Sequence, residues 1–163
     1  IKKIGKRNML ILGAIIYGLG FAMFAFVGTS YIGIMIASGL KGVGNAGISS
    51  CMFAIVSDTI EYGEWKTGYR TEGLINSASS FGFKVGNGLG SAMLGWILAL
   101  GGYAEKAVAQ SASALTAINA LFIYIPVLAA VLIVALMCFY KLDKEYDGIV
   151  TDLKEGRGVA DND

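Results

Sequence analysis

The chain lacks histidine, has one proline and two cysteines, and is poor in charge. Only 15% of its 163 residues are Asp, Glu, Lys or Arg, against 55% hydrophobic. A soluble domain normally carries nearer ~25% charged residues, so a water-exposed surface is hard to assemble from this composition. The formal net charge of +1 provides no basic field, which argues against nucleic acid as a partner. No zinc spacing, nucleophile motif or phosphate-cradling loop occurs, so neither an enzyme activity nor a cofactor is indicated. Cys51 and Cys138 both fall within apolar runs. There they read as small apolar side chains rather than as a disulfide or a metal site.

What the chain has in abundance is unbroken apolar sequence. The charges leave four runs, at residues 9–27, 31–57, 74–101 and 115–140. Each is long enough to cross a bilayer, which takes ~20 helical residues. The second is interrupted only by Lys41 and the third only by Lys84; the fourth is charge-free, with Pro126 near its middle. None alternates as a strand would, and a helix satisfies its own backbone in lipid. The expectation is an all-α integral membrane chain, with four transmembrane helices in residues 1–141 and a polar, poorly ordered tail over 142–163.

Lysine and arginine orient the chain. Lys2, Lys3, Lys6 and Arg7 precede the first run, Lys66 and Arg70 lie between the second and third, and Lys141, Lys144, Lys154 and Arg157 follow the fourth. With four crossings these bases share one side, while the other has only Lys106. The positive-inside rule places both termini in the cytoplasm, with the bilayer as a partner. The opening "IKKIGKRN" reads like a loop entered midway, so an N-terminal part is expected to be missing.

The two lysines inside the runs carry the candidate site. Each sits ten residues into its run, which is near mid-membrane at the helical rise, where a lysine costs ~2.5–3.5 kcal/mol. On a helical projection Ser77, Ser80, Lys84, Asn87 and Ser91 share one arc, and Gly82, Gly86 and Gly90 lie opposite, where another helix could pack closely. The second run repeats the scheme with Ser38, Lys41, Asn45 and Ser49. These stripes read as lining a hydrated substrate path, or else as structural ion pairs inside a bundle. Single serines mean little, because they often bond only their own backbone. Either reading needs anions, and the four runs contain none, so the expected partners are absent helices or an anionic substrate.

The segment "DTIEYGEWKTGYRTEG", residues 58–73, packs four acids and two bases among Tyr62, Trp65 and Tyr69. On charge content alone, a solvated loop anchored at headgroup level by its aromatics is the simpler reading. Its run of Asp58, Glu61, Tyr62, Gly63, Glu64, Thr67, Gly68, Arg70, Glu72 and Gly73 resembles, however, the loop between helices ten and eleven of the glycoside–pentoside–hexuronide:cation symporters. This is the family of the melibiose carrier, within the major facilitator superfamily. "IKKIGKR" is similar to the basic loop before that family's helix nine, and Lys84 falls where the melibiose carrier has a helix-eleven lysine near sugar and gate.

The resemblance covers essentially the whole chain. It implies helices nine to twelve of a twelve-helix, cation-coupled sugar transporter in the plasma (inner) membrane. On that reading residues 58–73 form a cytoplasmic gate whose ion pairs break and remake as the two halves rock. The substrate would be a glycoside, pentoside or hexuronide. The coupling cation, sodium or a proton, would bind mainly on the missing N-terminal helices. Lys41 has no assignable counterpart in the family. The competing expectation is a complete four-helix membrane scaffold or assembly subunit without transport activity.

Overall fold

A computed structural model describes residues 5–107, 109–140 and 142–156. Of the orienting bases, Lys2, Lys3, Lys141 and Arg157 lie outside the described residues. Helix α1 runs Lys6–Val27, α2 runs Tyr31–Thr67 and α3 runs Glu72–Leu100. The fourth run is a composite of α4 (Ala112–Asn119), a π-helical turn (Ala120–Tyr124) and α5 (Ile125–Phe139). A 3-10 turn at Leu142–Lys144 leads into a short α6, Tyr146–Lys154. The described residues contain no strand, and the fold is the all-α membrane type expected.

Three of these stretches, Lys6–Val27, Tyr31–Thr67 and Ala112–Phe139, are long and apolar enough to cross a membrane. Helix α3 has the length, at 29 residues, but does not join them. Lys84, two asparagines and four serines dilute its leucines and phenylalanines. Four equally apolar spans are therefore not what the chain contains.

The first two helices form the tightest contact. Buried residues of α2 recur at Ala37, Gly44, Cys51 and Asp58, every seventh position, the period of a left-handed helix crossing. Two of them meet glycines of α1, Gly44 lying against Gly13 and Ala37 against Gly20. A Cβ on Gly13 would come 3.1 Å from the Gly44 carbonyl oxygen, and one on Gly44 would run into the backbone of Tyr17. Apolar burial gives little drive between helices in lipid, so close backbone approach through small residues supplies the packing. By contrast, Gly82, Gly86 and Gly90 of α3 face open space, with nothing of the described chain within 4 Å. The glycine-mediated contact is thus between α1 and α2, and α3 contributes no buried residue.

The composite fourth helix packs along α1. Pro126 has no N–H and its ring would crowd a preceding carbonyl, and the chain meets this by widening one turn before it. The Ile125 N–H accordingly reaches back to the Ala120 carbonyl, five residues earlier. The widened turn carries Phe122 edge-on to Phe21 and Phe24 of α1, with ring centroids 5.8 and 5.1 Å apart. Each such aromatic contact is worth ~0.5–1.5 kcal/mol beyond its buried area.

Two boundaries depart from the sequence expectation. Helix α2 does not stop at residue 57 but continues through the charged segment to Thr67, closed by a left-handed Gly68 (φ 72°) whose N–H bonds the Glu64 carbonyl at 2.9 Å. The tail, expected to be poorly ordered, forms α6, and its Ile149 is only 3% exposed. The tail residues from 157 on are outside the described part.

The α1–α2 contact yields a paired test. Gly44→Ala forces a methyl into the Tyr17 backbone and should cost ~1–3 kcal/mol, read as earlier thermal loss of helical signal in detergent. Gly148→Ala on α6 meets open space and should be neutral or stabilising by up to ~1 kcal/mol. Equal behaviour of the two variants would remove the glycine contact as the basis of this packing.

Candidate functional site

The ten positions Asp58, Glu61, Tyr62, Gly63, Glu64, Thr67, Gly68, Arg70, Glu72 and Gly73 do not make one loop. The first six lie on the last three turns of α2, Glu72 and Gly73 open α3, and only residues 68–71 connect the two helices. Running on as helix gives each acid a direction. Asp58 faces inward at 1% exposure, while Glu64 points toward the hairpin and pairs with Arg70. The expectation that the helical spans contain no acid is corrected by Asp58, which sits on the buried edge of α2.

Asp58 is met by a base from the other end of the sequence. Lys6 Nζ lies 2.6 Å from Asp58 Oδ1, and the lysine side chain is 21% exposed. The first turn of α1 is also held by Asp143, whose two carboxylate oxygens accept the backbone N–H groups of Lys6 and Arg7 at 3.3 Å each. That carboxylate complements the positive end of the α1 dipole. Arg7 in turn donates to the carbonyls of Met137 (2.8 Å) and Cys138 (3.0 Å), satisfying the last turn of α5. The basic segment before the first span, read from sequence as an orientation signal, is therefore a structural knot joining α1, α2, α5 and the tail.

Around the pair lies a tyrosine and acid cluster. The Tyr146 ring sits under Lys6 Nζ at 4.0 Å to its centroid. A hydrogen bond to Glu61, burial and the negative field of Asp58 together push the Tyr146 phenol well above its ordinary range. Asp58 Oδ2, Glu61 Oε2 and Tyr140 Oη are buried without a hydrogen-bond partner among the described residues. Leaving such atoms unpaired costs ~1–3 kcal/mol apiece, which marks a place where stability has not been maximised.

The outer part of the segment is wet. Arg70 bridges Glu64 (2.7 Å) and Glu72 (3.3 Å); Arg70 and Glu72 are exposed and Glu64 is partly so, so water screens each pair and each contributes little. A cleft of about 230 Å³ opens beside them, lined by Glu61, Glu64, Arg70, Val150, Leu153 and Lys154. Trp65 was expected at headgroup level, yet its indole N–H reaches Asp152 Oδ2 of α6 at 3.3 Å. Tyr62 stacks near Trp65 with centroids 6.0 Å apart, while Tyr69 stands exposed on the hairpin.

The lysine stripes are not brought together. Lys84, Ser77, Ser80, Asn87 and Ser91 all lie exposed on α3, and Ser91 Oγ bonds its own helix at the Asn87 carbonyl, 2.9 Å away. Asn45 is exposed on α2. Lys41 is half-buried, its ammonium 5.3 Å above the Phe21 ring, a cation–π contact that no spacing in the sequence announced. Counted from the hairpin by helical rise, Lys84 lies ~18 Å along α3 and Lys41 ~39 Å along α2. Their contour distances from the hairpin thus differ by ~21 Å, because α2 runs past its apolar run to Thr67.

Sequence reasoning had found Asp58, Glu61, Glu64, Arg70 and Glu72, the members of the Arg70 bridge among them, but not the partner of Asp58 or the rest of the knot. Lys6, Arg7, Asp143, Tyr146 and Asp152 lie 52 to 137 residues from the groups they bind, or in a tail read as unstructured. The one signal available was the continuation of the small-residue heptad Ala37, Gly44, Cys51 onto Asp58.

The comparisons with known proteins bear on the same residues. A family model described as MFS/sugar transport protein matches residues 1–144. The isoprimeverose transporter of Lactiplantibacillus pentosus is 34% identical over 157 residues, covering 94% of this chain and 32% of that protein. The glucuronide carrier protein homolog of Escherichia coli strain K12 is 30% identical over 161 residues, covering 98% of this chain and 35% of that protein. The chain thus spans about a third of the length of the curated relatives it matches. No solved structure matches.

The asymmetry of the Lys6–Asp58 pair makes a prediction. Lys6→Met strands a carboxylate at 1% exposure and should cost ~3 kcal/mol or more. Asp58→Asn leaves an ammonium that can still reach water and should cost less, ~1–2 kcal/mol. The double replacement should recover part of the loss. Denaturation midpoints of the three variants decide it, and a milder Lys6→Met than Asp58→Asn would contradict the burial argument.

Proposed function

Because the chain belongs to the MFS/sugar transport protein family, we propose that it serves sugar or glycoside transport across a membrane by alternating access. It would form the C-terminal four-helix part of a cation-coupled carrier. The observation that carries this reading is the family match across residues 1–144. The relatives' names add substrate chemistry, one a transporter of isoprimeverose and one a homologue of a glucuronide carrier. No covalent step is involved. Loaded and empty carriers reorient readily while a half-loaded one does not, and a coupling cation, sodium or a proton, binds chiefly on helices other than these.

In this reading the hairpin and the cluster beneath it form the cytoplasmic gate, with both termini of this chain on the cytoplasmic side of the inner membrane. The gate has two tiers. The exposed Arg70–Glu64–Glu72 bridge is cheap to break and remake, which suits a contact that opens in every cycle. The Lys6–Asp58 pair is buried and holds the hinge of the bundle. Lys84, on an unpartnered polar face of α3, lines the inner part of the substrate path, where its ammonium can donate to sugar hydroxyls or pair with a carboxylate across the cavity. Lys41 and Asn45 belong to the outer part. A scaffold or assembly subunit would leave the polar stripe of α3 and the family match without explanation.

Two variants in the complete carrier test this. Lys84→Leu keeps bulk but removes charge and donors; at matched membrane expression it should abolish concentrative sugar uptake, and Lys84→Arg should recover little because a forked guanidinium does not fill a point-charge site. Wild-type accumulation by Lys84→Leu would take this lysine out of the path. Arg70→Ala should lower active uptake severalfold while equilibrium sugar affinity changes less than twofold. A collapse of affinity with a normal residual rate would move the hairpin from gate to binding site.

A further inference from the structure

The Lys6–Asp58 pair is closed by a residue from neither of its helices. From the geometry around it we infer that Tyr146, at the start of α6, is a positioning residue. Its ring holds the Lys6 ammonium against Asp58, so α6 must be docked on α2 for the pair to form. Lys6 ends a long flexible stem at the very first position of α1, where it could instead extend into water. Asp58 by itself satisfies only one of its oxygens through this lysine, since Oδ2 has no partner among the described residues. The Tyr146 ring, 4.0 Å from Nζ, covers a further face of the same ammonium. A cation held between a carboxylate and an aromatic face is fixed in direction as well as in charge.

The ring is in turn fixed by how α6 lies on α2. At the far end of the contact the Trp65 indole N–H reaches Asp152, and between them Ile149 is buried at 3% exposure. At the near end Tyr146 opens α6 beside Lys6, with Glu61, one turn of α2 beyond Asp58, raising its phenol pKa. Asp143, three residues before Tyr146, ties the same tail segment to the first turn of α1. Residues 143–152 therefore act as a clasp laid over the end of α2 that projects past α1. Tyr146 is the member of the clasp whose ring meets the Lys6 ammonium. Undocking of α6 withdraws the ring, frees Lys6 to swing into water and leaves Asp58 without its counter-charge.

The transport arm of the test rests on the carrier reading, and the exchange arm does not. In the purified full-length protein, Tyr146→Ala should raise amide hydrogen exchange in the first turn of α1 (residues 6–10) at least tenfold. Tyr146→Phe, which keeps the ring and loses only the hydroxyl, should stay within about twofold of wild type there. In vesicles, Tyr146→Ala should lower concentrative sugar uptake about fivefold with affinity changed less than twofold, and Tyr146→Phe should restore most of it.

The decisive comparison uses a Lys6→Met/Asp58→Asn background, in which no pair remains to be positioned. Adding Tyr146→Ala there should change neither the α1 exchange nor uptake further. Full additivity in that background, or a Tyr146→Phe as damaging as Tyr146→Ala, would overturn the inference. Absence of sugar uptake by the wild type would remove the carrier reading while the exchange comparison still decided the role of Tyr146.

Discussion

A carboxylate at 1% exposure on a membrane helix is a strong constraint, and the inner end of this bundle is arranged around it. Asp58 occupies the fourth step of the same seven-residue period that places Ala37, Gly44 and Cys51 against α1. Small residues at the first three steps let the backbones approach, and at the fourth the approach brings the α1 N-terminus within reach of the acid. An uncompensated charge there would cost several kcal/mol. The chain meets it with Lys6, with the Tyr146 ring and with an α1 start held by Asp143. Packing and electrostatics are therefore not separate layers, since the glycine contact sets the distance at which the ion pair can form.

The second consequence is a division of labour among the charges. Those on the protruding hairpin are exposed, redundant and weakly held, as Arg70 between two glutamates shows. Those under it are deeper and tied to several elements, Lys6 to Asp58 and the Tyr146 ring and Asp143 to the first turn of α1. Breaking an exposed pair exchanges it for water at little net cost, whereas opening the buried one must be offset elsewhere. In the carrier proposed above, contacts of the first kind suit the mouth and those of the second kind the pivot.

Helix α3 stands apart from this arrangement. It buries no residue, its glycines face open space, and its polar stripe meets nothing in the described chain. While α2 and α5 each pack on α1, α3 leaves its whole length unburied. Lys84 and Lys41 lie in different surroundings, one on that open surface and one against an aromatic ring.

The sequence by itself determined the helical membrane class, the approximate positions of the long helices, and the family to which the charged segment belongs. Apolar run length and the need to satisfy backbone hydrogen bonds in lipid leave few alternatives, and both are local properties. Local reasoning also exposed the acids and the arginine of the hairpin. It failed where the deciding contact is remote. Whether Asp58 is in a loop or on a helix depends on α2 being capped at Gly68 rather than at residue 57, and charge density alone pointed to a loop. Whether Gly44 or Gly86 packs a helix depends on which neighbour arrives, and the GxxxG spacing is silent on that. The tail was polar enough to be read as unstructured. Its described part forms α6, where Ile149 is buried, the Tyr146 ring meets Lys6 and Asp152 accepts from Trp65, and those contacts exist only once the helices are assembled.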